Sequence, residues 1–242
     1  MHVDDDVARE LAPNGTIRAA INFGNPVLAQ RDPASGEPRG VSVAIARELA
    51  RRTGLGVTLV PFDAAGKVFA ALTEHAFDVA FLAIDPQRAT RIDFTRPYVI
   101  IEGSYMVRLD SPLRAIEEFD RPGIRIAVAA DSAYDLYLTR TITRARLVRA
   151  PTGDDALALF LRDGLEAVAG VKSPLERYAF EHGDFRVIDG RFMTIEQAMA
   201  LPKGTQHARS YLEEMLRDLK QSGFVLRALE ATGQTDARVA PV

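Results

Sequence analysis

Cysteine and tryptophan are both absent from the 242 residues. Without cysteine there is no disulfide, thiolate nucleophile, iron–sulfur cluster or cysteine-based zinc site. That absence does not fix the compartment, since disulfide-free proteins occur in oxidising and reducing spaces alike. Lysine is scarce: Lys67, Lys172, Lys203 and Lys220 complete the set, so the basic charge is nearly all arginine. Positive charge is not in excess either. A formal net charge of −3 argues against a general nucleic-acid binder, which needs a basic stripe. No apolar run reaches the roughly 18 residues of a spanning helix. The opening MHVDDDVARELAPNGT is acidic and has neither the basic nor the apolar region of a secretory leader. What is present is ordinary: 47% hydrophobic and 26% charged residues, enough for a packed core and incompatible with wholesale disorder. The length allows one large domain or two smaller ones.

Assembled catalytic signatures are missing too. Neither G-x-G-x-x-G nor a P-loop follows any strand candidate. No G-x-S-x-G elbow is present. His2, His75, His182 and His207 are scattered, with no pair at metal-ligand spacing, and read as surface or structural residues. The sequence therefore predicts no metal and no cofactor.

Periodicity gives two rounds of β–α alternation. Strands are predicted at Thr16–Ile21, Val57–Val60 and Val79–Leu82. The helix carried by Val41, Ile45 and Leu49 at four-residue spacing ends at Gly54 and Gly56, and a second helix covers Val68–Leu72. Asp32-Pro33-Ala34-Ser35-Gly36 reads as a hairpin tip. Three such steps imply a parallel sheet with crossover helices. A break follows at Asp85-Pro86 and runs to the turn Asp110-Ser111-Pro112. The pattern then restarts with strands at Ile124–Val128, Leu147-Val148, Ala167–Ala169 and Arg186–Ile188. Helices at Tyr134–Thr141, Ala156–Leu161 and Leu175–Phe180 alternate with them. Ile195–Leu201 reads as a returning strand. Tyr211, Met215 and Leu219 mark an amphipathic helix, Phe224–Leu229 continues it, and the chain from Gly233 onward reads as frayed. The fold class is α/β in two units with C-terminal helices.

Ligands of such sheets sit beyond the carboxyl ends of the strands. The polar residues there are Asn22 and Asn25 after the first strand, Asp63 and Lys67 after the second, Asp85 and Arg88 after the third, and Asp131 and Ser132 in the second unit. Ser132 reads as an N-cap, as an anion-binding helix start, or as both. Spacing alone makes Arg88 a surface arginine paired with Asp85 or Asp93; the alternative is a bidentate clamp on a ligand carboxylate.

The run Asp78-Val79-Ala80-Phe81, Asp85-Pro86-Gln87-Arg88-Ala89 and Ile92-Asp93-Phe94-Thr95-Arg96-Pro97-Tyr98 resembles the central motif of the family 3 extracellular solute-binding proteins. These are the polar-amino-acid receptors of ABC importers. Thr16-Ile17-Arg18, Gly40-Val41, Ala198-Met199-Ala200-Leu201-Pro202-Lys203-Gly204 and Leu219-Lys220-Gln221-Ser222-Gly223 fit as well, in unbroken order from about Thr16 to Gly233. The resemblance implies a two-lobed, type II periplasmic-binding-protein-like fold. Residues 1–98 and 198–242 would form lobe one and residues 99–197 lobe two, with hinge crossings near 98–102 and 193–197. It implies a non-enzymatic binding component that captures a small carboxylate solute by hinge closure and partners a membrane permease. It further implies a monomer in the periplasm, with its leader removed.

Residue by residue, the resemblance makes Arg88 the carboxylate grip, with the start of the lobe-two helix at Ser132 and Ala133 assisting. Asn22, Phe23 and Asn25 would touch the rest of the ligand, and Ala83 lines the Arg88 loop. The departures concern the ligand ammonium. Val171-Lys172 stands where the family carries an Asp, the Ser/Thr donor between Phe81 and Arg88 is missing, and Ala64 replaces a covering aromatic. Either Glu102, Asp131 or Asp85 takes over the ammonium, or the ligand has none and is met by Arg88, Lys67 and Lys172. Two other roles stay open: a dehydratase-like enzyme with Glu102 or Glu196 as general acid, and a ligand-sensing module.

Overall fold

The computed structural model describes residues 3–71 and 74–242. By contacts the chain divides into two units, Met1–Ile100 with Glu196–Val242, and Ile101–Ile195.

The first unit opens with helix α1 (Asp5–Leu11), capped by the Asp4 carboxylate accepting from Asp6 N–H. This helix was not expected from the acidic start. Strand β1 (Thr16–Asn22) follows, then a short hairpin of β2 (Gln30–Arg31) and β3 (Pro38–Arg39) around the predicted tip. Helix α2 (Val41–Thr53) buries Val41, Ile45 and Leu49, as their spacing requires, and stops where Gly54 takes φ 72°. Gly40, just before it, has φ 117°, and a β-carbon there would lie 2.4 Å from the Leu28 carbonyl oxygen. Strand β4 (Gly56–Phe62), helix α3 (Ala65–Ala71), strand β5 (Val79–Ala83) and strand β6 (Ile92–Phe94) complete this stretch. The predicted helix end at Leu72 lies outside the described residues.

Strand β1 pairs in parallel with both β4 and β5, which gives the expected parallel sheet with crossover helices a three-strand heart. Ala20, Val68, Phe77, Ala80, Leu82 and Ile92 pack as one apolar cluster beside it.

The chain leaves this unit along strand β7 (Val99–Arg108). The sequence predicts no strand between residues 99 and 108, only a hinge crossing near 98–102; the stretch is a ten-residue strand, consistent with its run of Val, Ile, Tyr and Met, and the predicted turn at Asp110-Ser111-Pro112 follows it. The second unit contains β8 (Arg125–Ala129), α4 (Ala133–Thr141), β9 (Arg146–Ala150), α5 (Gly153–Arg162), β10 (Ala167–Val171), α6 (Lys172–His182) and β11 (Phe185–Val187). Strand β10 runs antiparallel to β7 and parallel to β8, and β8 runs parallel to β9. Strict alternation sorts the side chains onto two faces. Tyr105, Val107, Ile126, Val128, Ala167 and Ala169 join Phe119 and Leu138 on one face. Met106, Ala127 and Val168 join Phe160 and Leu165 on the other.

Strand β12 (Met193–Pro202) brings the chain back and pairs antiparallel with β5 and β6. Helices α7 (Gln206–Gln221) and α8 (Phe224–Glu230) are separated at Gly223, φ 72°. The tail is not frayed. Arg238–Val239 forms strand β13 against Ile100 and Val99, Ala240 N–H donates to the Tyr98 carbonyl at 3.1 Å, and Ala240 is buried. Lys220 Nζ fastens the same region by donating to the carbonyls of Pro97 at 3.2 Å and Pro241 at 2.7 Å. Two residues of strand carry no periodicity, so tertiary pairing alone makes this element.

Candidate functional site

At the carboxyl end of β5 the backbone turns sharply. Asp85 Oδ1 accepts from Gln87 N–H at 2.8 Å and Arg88 N–H at 3.4 Å, and the Asp85 carbonyl accepts from Ala89 N–H. This is an Asx-type turn, which Asp-Pro favours. It swings Arg88 back over the strand end, where Nη1 donates to the Ala83 carbonyl at 3.1 Å. Ala83 and Asp85 are 3% exposed and Arg88 is 1% exposed. The reading of Arg88 as a surface arginine is therefore set aside: its guanidinium is built into the strand end. Ile84, between them, points outward and is 37% exposed.

After β1, Phe23 N–H donates to the Phe62 carbonyl at 2.8 Å and prolongs the β1–β4 ladder by one rung. Asn22 Oδ1 accepts from Gly24 N–H at 3.0 Å, and Asn25 Oδ1 accepts from Val27 N–H at 3.3 Å. Both amides thus shape the loop. Gly24 has to be glycine, because a β-carbon would sit 2.3 Å from the Asp63 carbonyl oxygen. Arg31 lies over the Phe23 ring, its guanidinium carbon 4.6 Å from the centroid. After β4, Asp63 and Lys67 form an ion pair of 2.7 Å with both side chains more than half exposed. The Lys67 hydrogen bond holds the Asp63 carboxyl below its usual range.

In the second unit Ser132 caps α4, its Oγ accepting from Asp135 N–H at 3.1 Å, so the cap reading holds. Ala133 is the first helical residue, and the amides of this first turn have no intrahelical partner. Asp131, just before the cap, takes φ 55°, uncommon outside glycine. Its N–H donates to Asp135 Oδ2, which also accepts from Arg149 Nε at 3.1 Å. Val171 ends β10 and Lys172 starts α6. Lys172 Nζ lies 3.9 Å from Glu102 Oε2 and 3.9 Å from Glu176 Oε1, while Arg191 Nη1 reaches Glu102 Oε1 at 2.8 Å.

The first unit thus brings Ala83, Asp85 and Arg88 into one turn, and Asn22, Phe23 and Asn25 into one loop against Phe62–Asp63. The second unit joins Ser132 with Ala133, and Lys172 with Glu102. Lys67 is committed to Asp63. Glu102 faces two cations of its own unit, which weakens it as an acceptor for a ligand ammonium. Sequence reasoning missed Arg31, Asp135 with Arg149, and Arg191. The Asp63–Lys67 and Lys172–Glu176 pairs were legible as i, i+4 spacings; Glu102 and Arg191, 89 positions apart, were not. Among the described residues no cluster of three metal-ligating side chains occurs, and no helix is long and apolar enough to cross a membrane.

The model of the bacterial extracellular solute-binding proteins, family 3, matches residues 17–231. The chain belongs to that family, and its fold is that of the type II periplasmic binding proteins. It is similar in fold to the cysteine-binding protein of Campylobacter jejuni, with a TM-score of 0.81 and 20% identity, covering 97% of this chain and 94% of that one. A histidine kinase sensor domain with similarity to periplasmic binding proteins gives a TM-score of 0.79 and 24% identity over 93% of this chain and 98% of that one. Among curated proteins it is similar to the virulence sensor protein BvgS of Bordetella pertussis, 25% identical over 181 residues, 73% of this chain. The chain spans only 14% of the length of that relative.

Proposed function

We propose that this protein captures a small carboxylate-bearing solute, with Arg88 as the carboxylate grip. One observation carries the reading: an arginine 1% exposed at the carboxyl end of parallel strand β5, its guanidinium donating to the Ala83 carbonyl and its backbone set by an Asx turn. A planar guanidinium fixed in this way is suited to paired hydrogen bonds with a carboxylate. Ala133, the first residue of α4 behind its Ser132 cap, would add a backbone amide from the second unit when the chain closes at crossings near 98–102 and 193–197, the Ser132 N–H itself being given to the Ala129 carbonyl at 3.2 Å. At the end of β10 stands Lys172 and no acid, and although Glu102 and Glu176 at 3.9 Å offset part of its charge, a ligand without an α-ammonium fits that strand end better than one with it. Family membership supports delivery of the solute, unchanged, to the permease of an ABC importer at the outer face of the membrane.

A second reading, a ligand-sensing domain of a larger receptor, is favoured by one specific observation: the curated relative is a sensor protein of which this chain matches a small part. Both readings need the same ligand site. A thermal-shift screen against amino acids, dicarboxylates and other small organic acids tests it. Ligand at about a thousand times its Kd stabilises by about 4 kcal/mol, which raises Tm by roughly 8–16 °C in a chain this size. A shift that disappears in Arg88→Met, with the solute recovered chemically intact, supports the reading. A shift that survives in Arg88→Met removes Arg88 from the site, and a consumed solute makes the protein an enzyme.

A further inference from the structure

Phe23 is the first residue past β1, at the edge of the sheet where α/β proteins hold their ligands. Arg31 covers its ring at 4.6 Å, well inside the range of a cation–π contact. Arg31 belongs to the hairpin that follows this loop and is exposed. Its Nη1 reaches the Gly36 carbonyl at 3.5 Å, the far limit of a hydrogen bond. The hairpin carboxylate, Asp32, is turned elsewhere: it accepts from Ala34 and Ser35 N–H and faces Arg39 at 3.4 Å. Among the described residues Arg31 makes no ion pair, in contrast to Lys67, which holds Asp63 at 2.7 Å. Strands β1 and β5 are parallel neighbours, Ala19 opposite Val79 and Ala20 opposite Ala80, so the Phe23 loop and the Arg88 turn leave the same edge of the sheet. Two guanidiniums therefore stand at that edge, one buried and one exposed but laid on an aromatic face.

We propose that Arg31 is a specificity-determining residue that receives a second carboxylate of the ligand, so that the solute of this site is a dicarboxylate. The inference rests on Arg88 being the first carboxylate grip. The Phe23 ring does physical work here: it holds a long, rotamer-rich side chain in place before binding, which lowers the ordering cost of using it. A guanidinium lying on a ring face still has its N–H edge for a planar anion.

The test uses matched pairs that differ only in one terminal carboxylate: succinate with succinamate, glutarate with glutaramate, and L-glutamate with L-glutamine. Titration calorimetry on the whole chain gives each affinity. The expected result is that one dicarboxylate binds about tenfold or more tightly than its monoamide, the value of one charge-assisted contact. That ratio falls towards one in Arg31→Gln. It falls in part in Phe23→Leu, which keeps every charge and removes the ring. Arg88→Gln weakens both members of a pair together. A ratio unchanged in Arg31→Gln overturns the inference while leaving Arg88 as the grip. A monoamide bound as tightly as its dicarboxylate by the unmodified chain does the same. Binding that survives in Arg88→Gln overturns the reading beneath it instead. Failure of every pair to bind the unmodified chain overturns the dicarboxylate assignment outright. The melting temperature of each variant, measured without solute, separates a lost contact from a lost fold.

Discussion

Arg18 holds Asp78 with both its side chain and its backbone. Nη2 reaches Oδ1 at 2.7 Å, Nε reaches Oδ2 at 3.1 Å, and the Arg18 N–H donates to Oδ2 at 2.8 Å. Asp78 N–H returns a bond to the Arg18 carbonyl. The carboxylate is 5% exposed and the guanidinium 30%. This double grip locks the start of β5 to β1, and so fixes how far each strand has advanced where the Asn22 and Arg88 loops begin.

Asp78→Ala removes the acceptor of three of these bonds and leaves Arg18 half-solvated. The expected loss is about 2–4 kcal/mol in urea unfolding, towards the low end for a broken buried pair because Arg18 still meets water. A loss below about 0.5 kcal/mol, the level of an ordinary surface change, would show that the pair does not set the register.

Arg88→Lys keeps the charge but gives up the planar fork. It should weaken solute binding by about 2 kcal/mol or more, roughly thirtyfold, nearly as much as Arg88→Met. Calorimetry that finds Lys equivalent to Arg would reduce the site to a point charge.

Asp120 accepts from the N–H groups of Ala145, Arg144 and Thr143 at 2.6–3.1 Å, and these bonds bring its carboxyl down to about 2. A depressed carboxyl adds stability that is complete above its unfolded value near 3.9 and is lost as pH falls towards about 2. The unmodified chain should therefore melt above Asp120→Ala at pH 5, and the gap should narrow between about pH 4 and 2. A gap that is constant over that range would mean the carboxylate charge is not what holds the Thr143 turn.

The Glu10 carboxylate beside it raises the His207 imidazole, with Nδ1 to Oε1 at 3.0 Å, and Ala208 N–H donates to Glu10 Oε2 at 2.8 Å. A raised histidine stabilises fully below its unfolded value near 6.5 and stops doing so as pH rises through the higher folded value. Hydrogen exchange of Asp5–Leu11 in the unmodified chain should thus approach that of His207→Gln as pH rises above about 6.5. Exchange that differs by the same factor at pH 5.5 and 8.5 would remove the ion pair from the α1–α7 contact.

The β–α alternation of both units was legible because helices such as α2 repeat their apolar residues at one period, while strands such as β10 are short apolar runs between them. The elements that escaped include α1, whose one apolar pair at four-residue spacing, Val7 and Leu11, lies in an acidic stretch, and β13, which has only two residues. Strand β7 escaped for another reason. Its composition was strand-like, but the hinge implied by the family resemblance competed for the same residues. At the site, Asp-Pro before Arg88 announced a turn, and a turn after a strand places its arginine at the strand end. Burial of that arginine, and the approach of Lys172 and Arg191 to Glu102, depend on packing between segments far apart in sequence. Arg31 over Phe23 lay within nine residues, yet no periodic rule links a hairpin strand to the loop before it.

The tail strand β13 gives the molecule a handle. Arg238 and Val239 are zipped to Ile100 and Val99, and Ala240 to Tyr98, at the stretch where the chain departs from its first unit. Any change in the set of residues 98–100 must be carried out into the tail, because the two are stitched rung to rung. The last residues thus belong to the edge of the strand on which the chain leaves its first unit, and that edge is completed only when they are in place.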